Sequence, residues 1–209
     1  VTCAVTALTF ATHLRNQDYR SAISIWSDNV AKRPASFTAR SNLGIAYTRD
    51  GKYPQALEQL EKALELRPNA AEAFCNLGAV LSYLGRQKEA VACLKAALEI
   101  DPRNSYWHST LGMIYLQNGD PVAAEEELRR SLHLEPAISD AENNLGIALS
   151  QQKKREEALA HFEQAIRLQP NGAKAHHNLG VTLAQLGRLR EAVKDLQEAY
   201  RLDESLRIS

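Results

Sequence analysis

Apolar and small residues recur along this chain on two superposed rhythms. The short rhythm is helical. In PQALEQLEKALELRP (54–68) the apolar positions Ala56, Leu57, Leu60, Ala63 and Leu64 fall on one side of a 3.6-residue period. The long rhythm is 34 residues. SNLGIAY at 41 returns as CNLGAVL at 75, STLGMIY at 109, NNLGIAL at 143 and HNLGVTL at 177. Pro34, Pro68, Pro102, Pro136 and Pro170 keep the same step, as do Ala22, Ala56, Ala90, Ala124, Ala158 and Ala192. Gly44, Gly78, Gly112, Gly146 and Gly180 form one glycine column, and Gly51, Gly85, Gly119 and Gly187 form a second. Of ten glycines only Gly172 stands outside the two columns, so the residues with special backbone properties are placed by the repeat.

Each 34-residue unit predicts two helices. The first carries the Leu-Gly pair and ends near the second glycine, where a left-handed residue closes a helix well. In repeat five the run Lys153-Lys154-Arg155 replaces that glycine and reads as a solvated turn. The second helix starts around Pro54 or Pro121, since proline is tolerated in a first turn. It stops before the next proline, which disfavours helix in the preceding residue. Small residues in the Gly44 and Ala56 columns let two helices approach closely, and Leu43, Tyr47 and Leu60 fill the space around them.

This arrangement resembles the tetratricopeptide repeat (TPR), whose pattern is W-x2-L-G-x2-Y, A-x3-F and then proline. Here it stands as Leu43-Gly44-Tyr47-Ala56-Leu60-Ala63-Pro68, with the same columns in the later copies. The resemblance covers residues 3–204. It implies a single domain over 1–209: a degenerate repeat 1 at 3–36, then repeats at 37–70, 71–104, 105–138, 139–172 and 173–206. The implied fold is all-α, a right-handed α-solenoid of helix-turn-helix repeats with a concave groove. Repeat 1 departs from the pattern, with Thr9-Phe10 for Leu-Gly and His13 for the aromatic. Trp26 reads as a core aromatic and Trp107 as one near the groove.

Charge and composition narrow the function. Lys+Arg and Asp+Glu are both 25, so the balance argues against general nucleic-acid or anionic-lipid binding. The 34-residue period and the Leu-Gly and Ala columns likewise oppose an RNA-binding solenoid of 35-residue repeats. Three cysteines (Cys3, Cys75, Cys93) imply no disulfide framework and read as small buried or half-buried thiols. No phosphate loop, nucleophile elbow or zinc-protease motif appears, and the adjacent His176-His177 point about 100° apart on a helix, which separates them as ligands. No enzymatic activity, metal or cofactor is expected of this chain.

The asparagine before Leu-Gly is the candidate site. On a wheel of about 100° per residue, Leu43, Gly44 and Tyr47 fall between about 100° and 200° from Asn42. Thr38, Ile45 and Arg49 fall within about 60° of it. The column Asn42, Asn76, Thr110, Asn144, Asn178 therefore lies off the packing face, and in the TPR family that side lines the groove. A side-chain amide offers both acceptor and donors, so it can pair with the backbone of an extended peptide; the alternative is that these residues bond only to neighbouring repeats or water. Four such hydrogen bonds contribute roughly 2–6 kcal/mol against an association cost of roughly 4–15 kcal/mol. Groove residues Ile45, Arg49, Tyr83, Tyr106, Met113, Ile147, Lys174, His177 and Val181 complete the candidate peptide site. The family's carboxylate clamp is present only in fragments, Arg49 and Lys174 beside His177, and Glu72 and Asp140 oppose it.

The expected function is a non-catalytic protein–protein interaction scaffold binding a protein or peptide partner. A second reading takes VTCAVTALTFATHLRNQDYRSAISIWSDNVAKRP as similar to the junction of transmembrane-and-TPR proteins, some of them glycosyltransferases. The chain would then be the TPR tail of a membrane-anchored enzyme, tethered through a segment upstream of Val1. Apolar ends at Val1–Phe10 and at Leu206 and Ile208 suggest self-association.

Overall fold

The computed structural model describes residues 21–204. The expectations for Val1–Phe10, His13, Cys3, Leu206 and Ile208, and for residues 1–20 of the membrane junction, rest on residues outside that range. The described residues contain helices only. In chain order they are α1 (Ala22–Lys32), α2 (Phe37–Arg49), α3 (Tyr53–Leu66), α4 (Ala71–Tyr83), α5 (Gln87–Ile100), α6 (Ser105–Gln117), α7 (Pro121–Leu134), α8 (Ser139–Gln151), α9 (Arg155–Leu168), α10 (Ala173–Gln185) and α11 (Leu189–Leu202). None is long and apolar enough to cross a membrane. They fall into two compact units, one through Ile100 and one from Asp101.

Helix limits follow from local chemistry. Ser36 Oγ accepts from Ala39 N–H at 3.2 Å, Asn104 Oδ1 from Trp107 N–H at 3.2 Å, and Asp120 Oδ1 from Ala123 N–H at 3.0 Å. These side chains satisfy amides that a helix start leaves without carbonyl partners. At the end of α2, Gly51 sits at φ 71°, while Lys52 N–H reaches Tyr47 O at 2.9 Å and Gly51 N–H reaches Thr48 O at 3.1 Å. This is the paired closure that a left-handed residue permits. Repeat five makes the same closure with Lys153 at φ 65°.

Within each unit, consecutive helices pack in antiparallel hairpins. In the first unit α2 meets α3 and α4 meets α5; in the second, α6 meets α7, α8 meets α9 and α10 meets α11. The contact is built on the first glycine column. A Cβ on Gly78 would stand 2.1 Å from Leu94 Cδ2 and 3.1 Å from Ala90 O. On Gly146 it would stand 2.5 Å from the Phe162 ring. Leu60, Leu94, Leu128 and Phe162 are all buried to 1% exposure or less. Each contributes about 1.5–3 kcal/mol of burial. Ser131, which replaces alanine in repeat four, is fully buried and donates from Oγ to Ser105 O at 2.8 Å, so its hydroxyl is satisfied.

One aromatic differs from expectation. Trp107 is 7% exposed and belongs to the packing side. Its column is otherwise the buried Ala39, Ala73, Ala141 and Ala175, and the indole occupies the space that column keeps dry. Trp26 on α1 is half-buried.

The glycine contact yields a direct test. Gly78→Leu drives a side chain into Leu94, whereas Lys88→Leu changes an exposed position at the start of α5. Overpacking costs about 1–3 kcal/mol. The melting temperature of Gly78→Leu should fall well below that of Lys88→Leu, and equal values would contradict the packing column.

Candidate functional site

The side of each first helix that faces away from its hairpin partner carries a repeating set of four positions. In the first unit these are Thr38, Asn42, Ile45 and Arg49 on α2, and Glu72, Asn76, Ala79 and Tyr83 on α4. Asn42 and Asn76 are half-buried, and their side chains make no hydrogen bond with a described residue. Arg49 is exposed. Tyr83 is 65% exposed, yet its ring stacks on Tyr53 of α3 with centroids 4.8 Å apart and planes 11° from parallel. The stack pins Tyr83 to the hairpin edge.

In the second unit the set is Tyr106, Thr110, Met113 and Gln117 on α6; Asp140, Asn144, Ile147 and Gln151 on α8; and Lys174, Asn178, Val181 and Gln185 on α10. Tyr106, Met113 and Val181 are 67%, 38% and 36% exposed, an apolar band left in contact with water. Asp140 and Lys174 are exposed and pair with no described residue.

The ladder itself is uneven. The side chain of Asn144 makes no hydrogen bond with a described residue. Asn178 Nδ2 donates to Asn143 Oδ1 at 2.9 Å, so one of its donors bridges repeats. Thr110 is 8% exposed and donates its hydroxyl to Tyr106 O at 2.8 Å within its own helix. His177 turns toward α11, where its ring lies 6.3 Å from that of Tyr200 at 55°, and its buried Nδ1 has no partner.

Two features escaped the sequence reading. One is the glutamine column Gln117, Gln151, Gln185, all exposed, seven residues beyond Thr110, Asn144 and Asn178 and so on nearly the same face. The other is a polar pair spaced 19 residues apart that ties the two helices of a repeat. Arg40 Nη1 donates to Gln59 Oε1 at 3.0 Å. His108 Nδ1 lies 2.7 Å from Glu127 Oε2, His161 Nδ1 2.6 Å from Glu142 Oε2, and His176 Nδ1 3.0 Å from Asp195 Oδ1. Repeat five reverses the order of acid and base, and repeat three substitutes Phe74 and Cys93. That compensating exchange was the signal available in the sequence. The second ring nitrogens of His108 and His176 lie 3.1 and 3.2 Å from the carbonyls of Pro102 and Pro170, so both rings are held inside the repeat. Burial pushes the Cys75 thiol up to about 12 and raises that of Cys93, which keeps both in the unreactive thiol form.

Two residues of the basic run at 153–155, Lys154 and Arg155, are also occupied. Lys154 Nζ donates to Glu125 Oε2 at 2.8 Å, Gln152 Nε2 to the same oxygen at 2.7 Å, and Arg129 Nε to Glu125 Oε1 at 2.9 Å. Arg129 also bonds Glu157, and Arg155 Nε donates to Gln185 Oε1 at 2.9 Å. Desolvation pushes the Glu125 carboxyl up, but the three donors outweigh it and hold it down at about 2.

Models described as "TPR repeat" match residues 44–85, and models described as "Tetratricopeptide repeat" match 71–104, 107–130 and 137–205. The chain belongs to the tetratricopeptide repeat family. Among curated proteins nothing matches the sequence. Solved TPR structures share the fold. MamA residues 41-end from Desulfovibrio magneticus RS-1 superposes with TM-score 0.72 at 22% identity, over 81% of this chain and 96% of that one. PilF of Pseudomonas aeruginosa gives 0.73 at 26%, over 79% and 75%. YrrB, described as a TPR protein with an unusual peptide-binding site, gives 0.66 at 24%, over 86% and 92%. The chain is an all-α TPR solenoid in its helix-pair construction.

The Glu125 cluster predicts a pH response. A carboxyl held below its ordinary 4.5 stabilises the folded chain above that value, and the contribution is lost as pH falls from about 4.5 toward about 2. The wild-type urea midpoint should therefore drop more between about pH 6 and about pH 3 than that of Glu125→Gln. Identical drops would show that the cluster contributes nothing.

Proposed function

We propose that this TPR scaffold binds extended peptide segments of a protein partner across its first-helix faces, without catalysis. The observation that carries the reading is the state of Asn144: its side-chain amide bonds no described residue and lies beside the column of exposed Met113, half-buried Ile147 and exposed Val181. Leu145 and Gly146, its immediate neighbours, are consumed by packing, at 1% exposure and against Phe162 respectively. An amide placed this way can accept from one backbone N–H and donate to one carbonyl without reading side chains. The apolar band supplies the burial that the amides lack. The peptide-binding site named for YrrB, a protein of the same fold, supports the reading.

Affinity should be modest, because few amides are available. Asn178 has one donor committed to Asn143, and Thr110 has its hydroxyl committed to Tyr106. Losing two hydrogen bonds at Asn144 removes about 1–3 kcal/mol. Asn144→Ala should therefore weaken binding of a selected extended peptide by about fivefold or more. Glu163→Ala, at an exposed position on α9, should leave it unchanged. Equal affinities for the two variants, with equal circular dichroism, would refute the site.

A further inference from the structure

In the second unit the candidate groove repeats on a length scale that selects a backbone conformation. α6 touches α8 and α8 touches α10, so Met113, Ile147 and Val181 are spaced by one helix-to-helix step. Packed helices lie roughly 8–10 Å apart. A β-strand rises about 3.3 Å per residue and returns to the same face every two residues, about 6.6 Å; its third residue, near 10 Å, points away. A polyproline II helix rises about 3.1 Å per residue with three residues per turn, so it presents one face every 9.3 Å or so. Only the second spacing matches the step between helices. Polyproline II also leaves its backbone N–H and C=O groups without internal hydrogen bonds. The groove flanks the apolar band with amides on both sides: Asn144 and Asn178 on one, Gln151 and Gln185 on the other, Asn178 keeping its oxygen and second N–H beside its bond to Asn143 and Gln185 its NH2 beside its bond from Arg155.

Charge adds a second constraint. Asp140 and Lys174 occupy equivalent positions on adjacent helices, are exposed, and pair with no described residue. The surrounding second helices differ: Glu125, Arg129, Glu157 and Lys154 are all engaged with one another. The two uncommitted charges, one step apart, complement a ligand carrying a base and an acid three residues apart.

We infer that the groove of residues 105–185 takes a polyproline II segment with apolar side chains at i, i+3 and i+6, and with a basic and an acidic residue three apart beside them. This rests on the peptide-binding reading above and names the class of peptide. The occupant is a segment of a partner protein, extended and proline-containing, read by period rather than by individual side-chain pockets.

The test uses the full chain and blocked ten-residue peptides of one composition: three leucines, one lysine, one glutamate, and otherwise proline and alanine. In the first peptide the leucines stand at positions 2, 5 and 8 and the charges are three apart. In the second the leucines stand at 2, 4 and 6. Isothermal titration should show the first binding about tenfold more tightly or better. A third peptide exchanges the lysine and glutamate of the first. The wild-type chain should prefer one of these two charge orders, and the double variant Asp140→Lys, Lys174→Asp should invert that preference. Equal or reversed affinity for the leucine spacings, or a charge preference that the double variant leaves in place, overturns the proposal. If both spacings bind equally and Asn144→Ala weakens both, peptide binding stands and the three-residue period falls. If neither peptide binds, both readings fall.

Discussion

The structure depends on a missing side chain. At Gly44, Gly78, Gly112, Gly146 and Gly180 the first helix of a repeat lies so close to the second that a Cβ would meet a leucine or phenylalanine at 2.1–2.7 Å. Close approach puts the bulky tips of Leu60, Leu94, Leu128 and Phe162 over the glycine backbone and excludes water from them. That contact fixes which face of the first helix is spent on packing. The opposite face is then left without a partner inside the repeat. Because the glycine recurs every 34 residues, the face left over recurs with it. The candidate groove is thus a by-product of how the hairpin closes.

Polar groups divide along the same line. Inside the hairpins, with the buried Nδ1 of His177 as an exception, polar side chains are matched: Arg40 with Gln59, His108 with Glu127, Glu142 with His161, and His176 with Asp195. Buried polar groups need such partners, since an unpaired one costs more than the pair gains. On the exposed second helices, Lys62–Glu58, Arg86–Glu89, Arg188–Glu191 and Arg201–Glu198 pair within one turn. These are screened and weak, and serve solubility more than stability. Asp140, Lys174 and Asn144 on the groove side stay uncommitted. The last helix breaks the pattern of burial: Val193 on α11 is 52% exposed where Leu159, its counterpart on α9, is 6% exposed.

Much of this was legible in the sequence, for physical reasons that differ by feature. Glycine and proline act through their own backbone, so the turns at Gly51 and Gly85 and the starts at Pro54 and Pro121 could be read without neighbours. The turn at Lys153 was legible from its place in the glycine column, whereas its left-handed backbone at φ 65° was not. That the asparagine column lies off the packing face followed from the helical period, while the expectation that this side forms a groove came from the family resemblance. What required tertiary neighbours was not legible. The burial of Trp107 was not, because its column is otherwise alanine and gives no sign of how much space it can hold. The Asn178–Asn143 bond depends on the approach of α8 and α10, which no wheel specifies. The 19-residue pairs hide because their residue types change from repeat to repeat, and only the complementarity is kept.

The central claim is that packing on the glycine column leaves one face, in one period, for the partner. Residue-resolved NMR of the full chain with the three-spaced peptide tests it most directly. Shifts should concentrate at Met113, Asn144, Ile147, Gln151 and Val181, and saturate together. Shifts centred instead on the surface cleft lined by Pro102, Arg130 and His133, or on the exposed Leu189 and Val193 of α11, would contradict it.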